Sequence, residues 1–252
     1  MKIFTTIFTI LACIAIIFLG NMHWKDEISK AAGSGKIRDI AVQEPVEEEK
    51  NQDLVKVPGN WPEESAALYK KKAEANQKFK IVFAGPDAKG WSKEAISKVK
   101  EAYGDTIITS VVQTEGSSLE YVRSDQPKKL MDEQGDMIIL ESFTLADNSH
   151  VALKDSFYTL TKIIDDVKKN KKDTQFVLQP PNPIYGAKYY PGQVNELKKY
   201  AKENKISYIN HWAAWPEPST AAIKEDLTTE QSPNDKGYKL WGDYVADYLT
   251  GS

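Results

Sequence analysis

The sequence predicts an α/β domain built on a parallel sheet. After position 78, short apolar runs alternate with helical patterns, as expected for strands joined by crossover helices. The first run, Ile81–Ala84, stops at Gly85-Pro86-Asp87, and a helical pattern follows from Trp91 to Tyr103. In open sheets of this kind, ligands bind at the carboxyl ends of the strands. We therefore expect a site to begin at this first turn.

Five runs rich in apolar residues predict the strands: Ile81–Ala84, Ile107–Gln113, Met137–Leu140, Phe176–Gln179 and Tyr208–Asn210. Helical patterns predict the helices: Lys93–Tyr103, Pro127–Gln134, Val151–Lys169, Pro191–Asn204 and Lys236–Leu249. In the third helix, apolar side chains recur every three or four residues from Phe157 to Val167, with charged side chains between them. The prediction is a five-stranded parallel sheet with helices on both faces, in a domain spanning residues 78–252.

Composition excludes several classes of function. The chain has 252 residues, is 41% hydrophobic and 27% charged, and carries a formal net charge of −3. A net negative chain gives no reason to expect nucleic acid as a partner, because binding to phosphates requires a basic surface. The only cysteine is Cys13, so the remainder has no disulfide framework and no cysteine-based metal site. The three histidines are not spaced like a zinc cluster. We predict no metal and no cofactor.

Residues 1–20 read as a membrane anchor. Ile3–Leu19 is apolar apart from its threonines and follows Lys2, and its length is at the lower limit for crossing a hydrocarbon core of about 30 Å. No small-residue cleavage site follows the run. A single-pass protein with its domain outside the cytoplasm is expected. Secretion after signal cleavage is the alternative, and a lipoprotein signal at Cys13 is a further one.

Residues 21–77 read as a polar stalk. Gly33-Ser34-Gly35, the acidic run Glu44–Glu49 and several prolines make this segment too polar to bury a core. A helix is expected near residues 61–77, with Asn60 as its N-cap and Pro62 in its first turn. We expect this helix to pack at the edge of the domain.

Four stretches resemble a known family: Glu141–Asn148, Leu178–Tyr190, Tyr208–Pro216 and Gln231–Tyr244. They are similar to the SGNH/GDSL hydrolases, in particular to an exported, Bacillus-like subgroup from Gram-positive bacteria. The resemblance implies a three-layer α/β/α, flavodoxin-like sandwich. It also implies ester chemistry on an acylated carbohydrate or lipid of the cell envelope.

The resemblance also assigns the positions at which such a hydrolase carries its machinery. The family has a serine nucleophile after the first strand, oxyanion donors on a glycine after the second and an asparagine after the third, and an Asp-x-x-His pair before the last helix. In this chain Asp87 stands at the serine position, and Gly116 is retained. Ala146 replaces the asparagine, while Thr229 and Ser232 occupy the Asp and His positions. Loss of the serine or the histidine removes most of the rate in triad enzymes.

Other residues near the strand ends are candidates for shifted catalytic roles. Asp87 is a candidate nucleophile or base, close to Asp147, because paired carboxylates shift each other's pKa. His211 is a candidate displaced base. The structural alternatives are a turn residue for Asp87, a helix cap for Asp147 and a hydrogen-bonded structural ring for His211. Gly116 remains a candidate oxyanion donor.

Aromatic and amide side chains in the strand-end loops suggest a glycan ligand, because flat rings stack on sugar faces and amides bond hydroxyl groups. The candidate ligand-binding residues are Ser117, Asn148, Asn182, Tyr185 and Trp212. The alternatives are that the aromatic side chains pack the loop at positions 180–191 against the domain, and that Ser117 caps a helix.

Three functions follow from these observations. The first is a catalytically degenerate domain that binds a cell-envelope glycan or a partner protein. The second is an active esterase, O-acyltransferase or deacetylase that acts on acylated envelope carbohydrate or lipid. The third is a structural scaffold at the cell surface.

Overall fold

The computed structural model describes residues 60–251, which form an α/β domain around one parallel sheet. The strand order is β2-β1-β3-β4-β5 and every neighbouring pair is parallel, so the predicted five-stranded sheet is confirmed. The strands are β1 Phe79–Gly85, β2 Ile107–Gln113, β3 Met137–Glu141, β4 Gln175–Gln179 and β5 Ser207–Tyr208. This is the flavodoxin-like order. The strands are added to one side of β1 and then to the other, so the topological switch point lies between β1 and β3.

Eight α-helices surround the sheet in the described part of the chain. They are α1 Glu63–Glu74, α2 Ala88–Tyr103, α3 Ser118–Arg123, α4 Gln126–Asp132, α5 Thr144–Asp147, α6 Leu153–Asn170, α7 Tyr190–Glu203 and α8 Asp235–Thr250. Short 3-10 helices cover Gly104–Thr106, His211–Ala214 and Ala221–Asp226. The short helix α5 was not predicted, since one turn of helix leaves no periodic pattern in the sequence.

The core has one apolar cluster on each face of the sheet. Side chains of β1 alternate between them: Ile81 and Phe83 pack with α1, α2 and α8, whereas Val82 and Ala84 pack with α3, α4, α6 and α7. Strand β1 is buried along both faces because it is central in the sheet. The domain is therefore the three-layer sandwich that the sequence predicts.

Helix α1 contributes to this core. The sequence places it with the stalk, at the domain edge, but Trp61 and Tyr69 are buried among the residues of the first cluster. The Trp61 indole N–H donates to the carbonyl of Leu249 over 3.0 Å. One turn after Tyr69, the Lys72 ammonium lies 2.6 Å from the buried carboxylate of Asp136. The ordered core thus begins before position 78.

Strand β5 is shorter than predicted. Its pairing with β4 covers Ser207 and Tyr208, and the next backbone bond, from Ile209 N–H to the Leu178 carbonyl, closes the edge at 2.8 Å. The chain then turns into the 3-10 helix that begins at His211.

The predicted anchor at residues 1–20 and the stalk before position 60 lie outside the described residues. Within residues 60–251, no helix is both long enough and apolar enough to span a bilayer.

Candidate functional site

The turn after β1 is fixed by a glutamate at the end of β3. Gly85 has φ +144°, a conformation that residues with a Cβ rarely adopt. A Cβ there would overlap the Glu141 side chain and lie 2.8 Å from its Oε2. Two residues later, the Asp87 N–H donates to the same Oε2 over 2.8 Å. Glycine is needed at this strand end because Glu141 approaches the turn so closely.

Glu141 is a fully buried carboxyl group. Besides the Asp87 N–H, its Oε2 accepts the Trp91 indole N–H over 2.9 Å. Burial raises the pKa of Glu141 to about 8, and the charge of Asp87 acts in the same direction. The carboxyl group is therefore mostly protonated at neutral pH. Glu141 is not among the site residues predicted from the sequence, although a glutamate that closes an apolar strand is a signal of such a group.

Asp87 lies between this buried acid and the last helix. Burial raises the pKa of Asp87, and a hydrogen bond from the Tyr238 hydroxyl of α8 partly offsets that rise. Asp87 and Glu141 border a small hollow of about 230 Å³, the carboxyl cavity, whose lining includes Pro86, Asp87, Glu141, Leu145, Ala146 and Asn182. Two carboxyl groups and one phenol thus converge at the carboxyl end of β1.

The loop after β2 forms the wall of a larger cleft. Gly116, with φ +79°, leads into Ser117, which caps α3. The Ser117 hydroxyl accepts the Glu120 N–H at 3.4 Å and the Ser117 N–H donates to Glu120 Oε2 over 2.7 Å, the reciprocal arrangement of a capping box. The strand-edge cleft has a volume of about 740 Å³, and its lining includes Gly116, Ser117, Glu120, Arg123, Ala146 and His150.

Asp147 ties the loops after β2 and β3 together. Its Oδ1 accepts the Ser118 N–H over 2.7 Å, so it caps α3 from a different element. Its Oδ2 is buried without a hydrogen-bond partner among the described residues. The sequence suggests that Asp147 lies close to Asp87, yet the carboxyl group bonded to the β1 turn is that of Glu141. Next to Asp147, Ala146 borders both hollows and Asn148 ends α5, half-buried.

Solved structures with the same architecture are hydrolases. A candidate lipolytic protein of the G-D-S-L family from Desulfitobacterium hafniense matches with a TM-score of 0.53 and 16% identity, over 68% of this chain and 100% of its own. A candidate GDSL-like lipase from Parabacteroides merdae gives 0.54 and 12%, over 69% and 96%. A catalytic mutant of Axe2, an acetylxylan esterase from Geobacillus stearothermophilus, gives 0.55 and 14%, over 69% and 94%.

The chain has the fold of the GDSL hydrolases. Comparison of the sequence with protein-family models and with curated proteins finds no match. The likeness is one of fold, at identities between 12% and 16%.

On this GDSL-hydrolase fold, His211 is enclosed in the core. Its Nε2 lies 2.9 Å from the Pro180 carbonyl, and its Nδ1 accepts the Trp215 indole N–H over 3.1 Å. The ring stacks on Trp241 with centroids 4.2 Å apart. Burial lowers the pKa of His211 to about 3, so the ring is neutral, with the proton on Nε2 directed at Pro180. His211 therefore has no free nitrogen lone pair with which to act as a base.

The loop after β4 holds the predicted amide and aromatic residues. Asn182 is buried, and its Nδ2 donates to the carbonyls of Pro183 and Gln231 over 2.9 and 3.0 Å. The Tyr185 N–H bonds to the Gln231 side chain over 2.9 Å, and the Tyr185 ring, 37% exposed, lies under the Lys224 ammonium. Trp212 is half-buried and faces a separate hollow. These residues are therefore not brought together at one point.

Thr229 and Ser232 are exposed in the loop before α8. The Thr229 hydroxyl donates to Glu230 over 2.7 Å, and the Ser232 carbonyl accepts the Thr228 N–H over 2.7 Å. Neither side chain is bonded to Asp87. Among residues 60–251, no three His, Cys, Asp or Glu side chains are grouped as a metal site would require.

Proposed function

We propose that this chain is an exported, membrane-anchored member of the SGNH/GDSL hydrolases of the Gram-positive type that binds a cell-envelope glycan and does not hydrolyse esters by the family's mechanism. One observation carries the proposal. The β1 turn, where the resemblance places the serine nucleophile, carries Asp87, which is hydrogen-bonded to Tyr238 and anchored by its N–H to Glu141.

Elementary electrostatics supports the loss of the usual chemistry. Attack on an ester develops negative charge on the carbonyl oxygen, and a catalytic site stabilises that charge with donors worth about 10²–10³ in rate each. A carboxylate at position 87 repels it. Where the family has an asparagine, Ala146 contributes only a methyl group, and Gly116 remains the one retained donor of the two. His211, with both nitrogens bonded, is not available to deprotonate an alcohol.

The strand-edge cleft has the composition expected for an uncharged polar ligand. Its volume of about 740 Å³ falls in the usual range for small-molecule sites. Arg123 supplies donors, Glu120 supplies acceptors, and Leu119 and Val151 supply apolar surface. Sugars present hydroxyl groups and apolar faces together. The predicted anchor would hold such a domain next to envelope glycans.

Calorimetry on the full chain, kept in a polyoxyethylene detergent that has no sugar headgroup, tests this proposal. Tri-N-acetylchitotriose and xylotriose serve as probes. We expect saturable binding that Arg123→Ala weakens by roughly tenfold, whereas Lys70→Ala, at an exposed position of α1, leaves it unchanged. Binding unaffected by Arg123→Ala would exclude the strand-edge cleft as the glycan site.

A second candidate function is favoured by the carboxyl pair itself. In it, the Asp87 carboxylate takes a proton from water while the hydroxide adds to an ester carbonyl carbon. The tetrahedral adduct then breaks its bond to the alcohol oxygen, which takes the proton of Glu141. Because Oε2 of Glu141 accepts two N–H groups, that proton resides on Oε1.

The pH dependence of ester turnover separates this candidate from the first. The acid–base pair predicts turnover that falls above about pH 8, where Glu141 loses its proton. It also predicts that Asp87→Asn abolishes turnover. Glu141→Gln should remove most of the rate, and the remaining turnover should no longer fall above about pH 8. Wild-type hydrolysis no faster than that of Asp87→Asn would reject it.

A further inference from the structure

A third hollow lies beside β5, and none of its lining residues belongs to the carboxyl cavity or the strand-edge cleft. We name it the tryptophan cavity. It has a volume of about 280 Å³, and its lining includes Asn195, Lys198, Tyr208, Asn210, Trp212 and Trp215. Helix α7 supplies the first two, and the chain from β5 into the following 3-10 helix supplies most of the others.

The two indole rings are fixed by hydrogen bonds to the protein. The Trp212 N–H donates to the Pro181 carbonyl over 2.7 Å, and the Trp215 N–H donates to His211 over 3.1 Å. Tyr190 packs against Trp212, with ring centroids 5.4 Å apart. Trp215 is 7% exposed and belongs to the core, so the half-buried Trp212 is the indole that offers a ligand a flat apolar surface in a fixed orientation. Little side-chain entropy is then lost when a ligand binds.

The polar side chains around these rings are uncommitted. Within residues 60–251, the side chains of Asn195, Lys198 and Asn210 make no hydrogen bond or ion pair. The Tyr208 hydroxyl is buried without a partner in the same part of the chain, so a ligand that bonded to it would satisfy an otherwise unpaired group. Asparagine amides both donate and accept. A ligand rich in hydroxyl groups would match this set.

Charge does not favour an ionic ligand. The cavity also includes Glu217, which offsets Lys198. A rigid indole face, two free amides and balanced charge together suit a neutral sugar ring. The volume is slightly below the range of about 300–1,000 Å³ for drug-sized ligands, so one ring of a longer chain fits better than a whole oligosaccharide.

We infer that the tryptophan cavity is a saccharide-binding subsite that takes one neutral sugar ring on the indole of Trp212, beside the amides of Asn195 and Asn210. The choice of a sugar rests on the proposed glycan-binding function, but the subsite is separate from the strand-edge cleft. A glycan chain would therefore have two places of attachment on the domain.

Calorimetry with tri-N-acetylchitotriose and xylotriose on the full chain, in polyoxyethylene detergent, tests the inference. We expect a binding event that survives Arg123→Ala. Trp212→Ala should weaken it by roughly tenfold and Asn195→Ala by roughly threefold. Tyr189→Ala removes an aromatic ring that is 84% exposed and does not line the cavity, so it should leave binding unchanged.

The outcomes distinguish this subsite from the strand-edge cleft. Loss of binding with Trp212→Ala and Asn195→Ala, but not with Arg123→Ala, supports the subsite even if the cleft binds nothing. Loss with Arg123→Ala alone supports the proposed function and overturns the subsite. No binding of either probe by the wild type overturns both. If Trp212→Ala does not fold, Asn195→Ala still tests the subsite, because Asn195 lies at an exposed position of α7. An unchanged affinity of Asn195→Ala would reject the subsite.

Discussion

The backbone N–H of Asp87 and the carboxyl group of Glu141 meet at 2.8 Å across the ends of the adjacent strands β1 and β3. This bond, together with that from Trp91, directs the first strand-end turn at a buried acid. Where the resemblance implies an exposed nucleophile, the chain has Asp87, and the buried Glu141 fixes the position of its backbone. Asp87 and Glu141 together line the carboxyl cavity.

The titration of Glu141 predicts how stability depends on pH. The pKa of Glu141 is raised to about 8 in the folded protein, from an ordinary value of 4.5. Between these values the folded state holds a proton that the unfolded state releases, so the contribution of Glu141 to stability is greatest below pH 4.5 and falls as pH rises to 8. The free energy of unfolding should fall by about 1.4 kcal/mol per pH unit in the middle of this window, and by about half of that close to pH 8. Urea denaturation of the full chain between pH 6.5 and 8 measures it.

Glu141→Gln is the matched variant, because it keeps the shape and removes the titration. Its unfolding free energy should be flat across the same interval. The interval avoids His211, whose lowered pKa of about 3 affects stability only below its ordinary value of 6.5. A wild-type profile as flat as that of the glutamine variant would show that Glu141 is ionised in the fold.

Gly85→Ala should be strongly destabilising. The residue has φ +144°, and a Cβ would overlap the Glu141 side chain, so we expect a loss of about 3 kcal/mol or more in unfolding free energy. Gly192→Ala is the control, since a Cβ there meets nothing within 4 Å. Equal stabilities of the two variants would contradict the close approach of Glu141 to the turn.

The sheet and most helices could be predicted from the sequence because apolar periodicity records burial directly. β2 matches its predicted bounds, Ile107–Gln113. The site was less predictable. Glu141 and Tyr238 join Asp87 from distant parts of the chain, and no local pattern shows that contact. His211 follows a strand, which is a position typical of a catalytic base. Its structural role became visible only from Trp215 and Trp241, which pack around its ring.

His211→Ala should destabilise the fold. The variant loses the stacking on Trp241 and leaves the Trp215 indole N–H unpaired, which together cost about 3 kcal/mol. Chemical denaturation measures the change. His150→Ala, at an exposed position, should stay within about 0.5 kcal/mol of the wild type. A His211→Ala protein as stable as His150→Ala would contradict the structural role.

Trp61→Ala tests whether α1 belongs to the domain. The indole is buried against Tyr69, Phe79 and Tyr103, and its N–H is bonded to the Leu249 carbonyl. We expect a loss of about 3–5 kcal/mol in unfolding free energy, with Lys70→Ala close to the wild type. No difference between these two variants would place α1 outside the cooperative unit.

The rate of p-nitrophenyl acetate hydrolysis at pH 7.5 shows whether the domain is an ordinary esterase, when the full chain is compared with Asp87→Asn and with the heat-denatured chain. With Asp87 at the strand-end turn and His211 enclosed in the core, we expect one low rate for all three. Wild-type turnover far above the denatured chain, abolished by Asp87→Asn, would contradict this expectation.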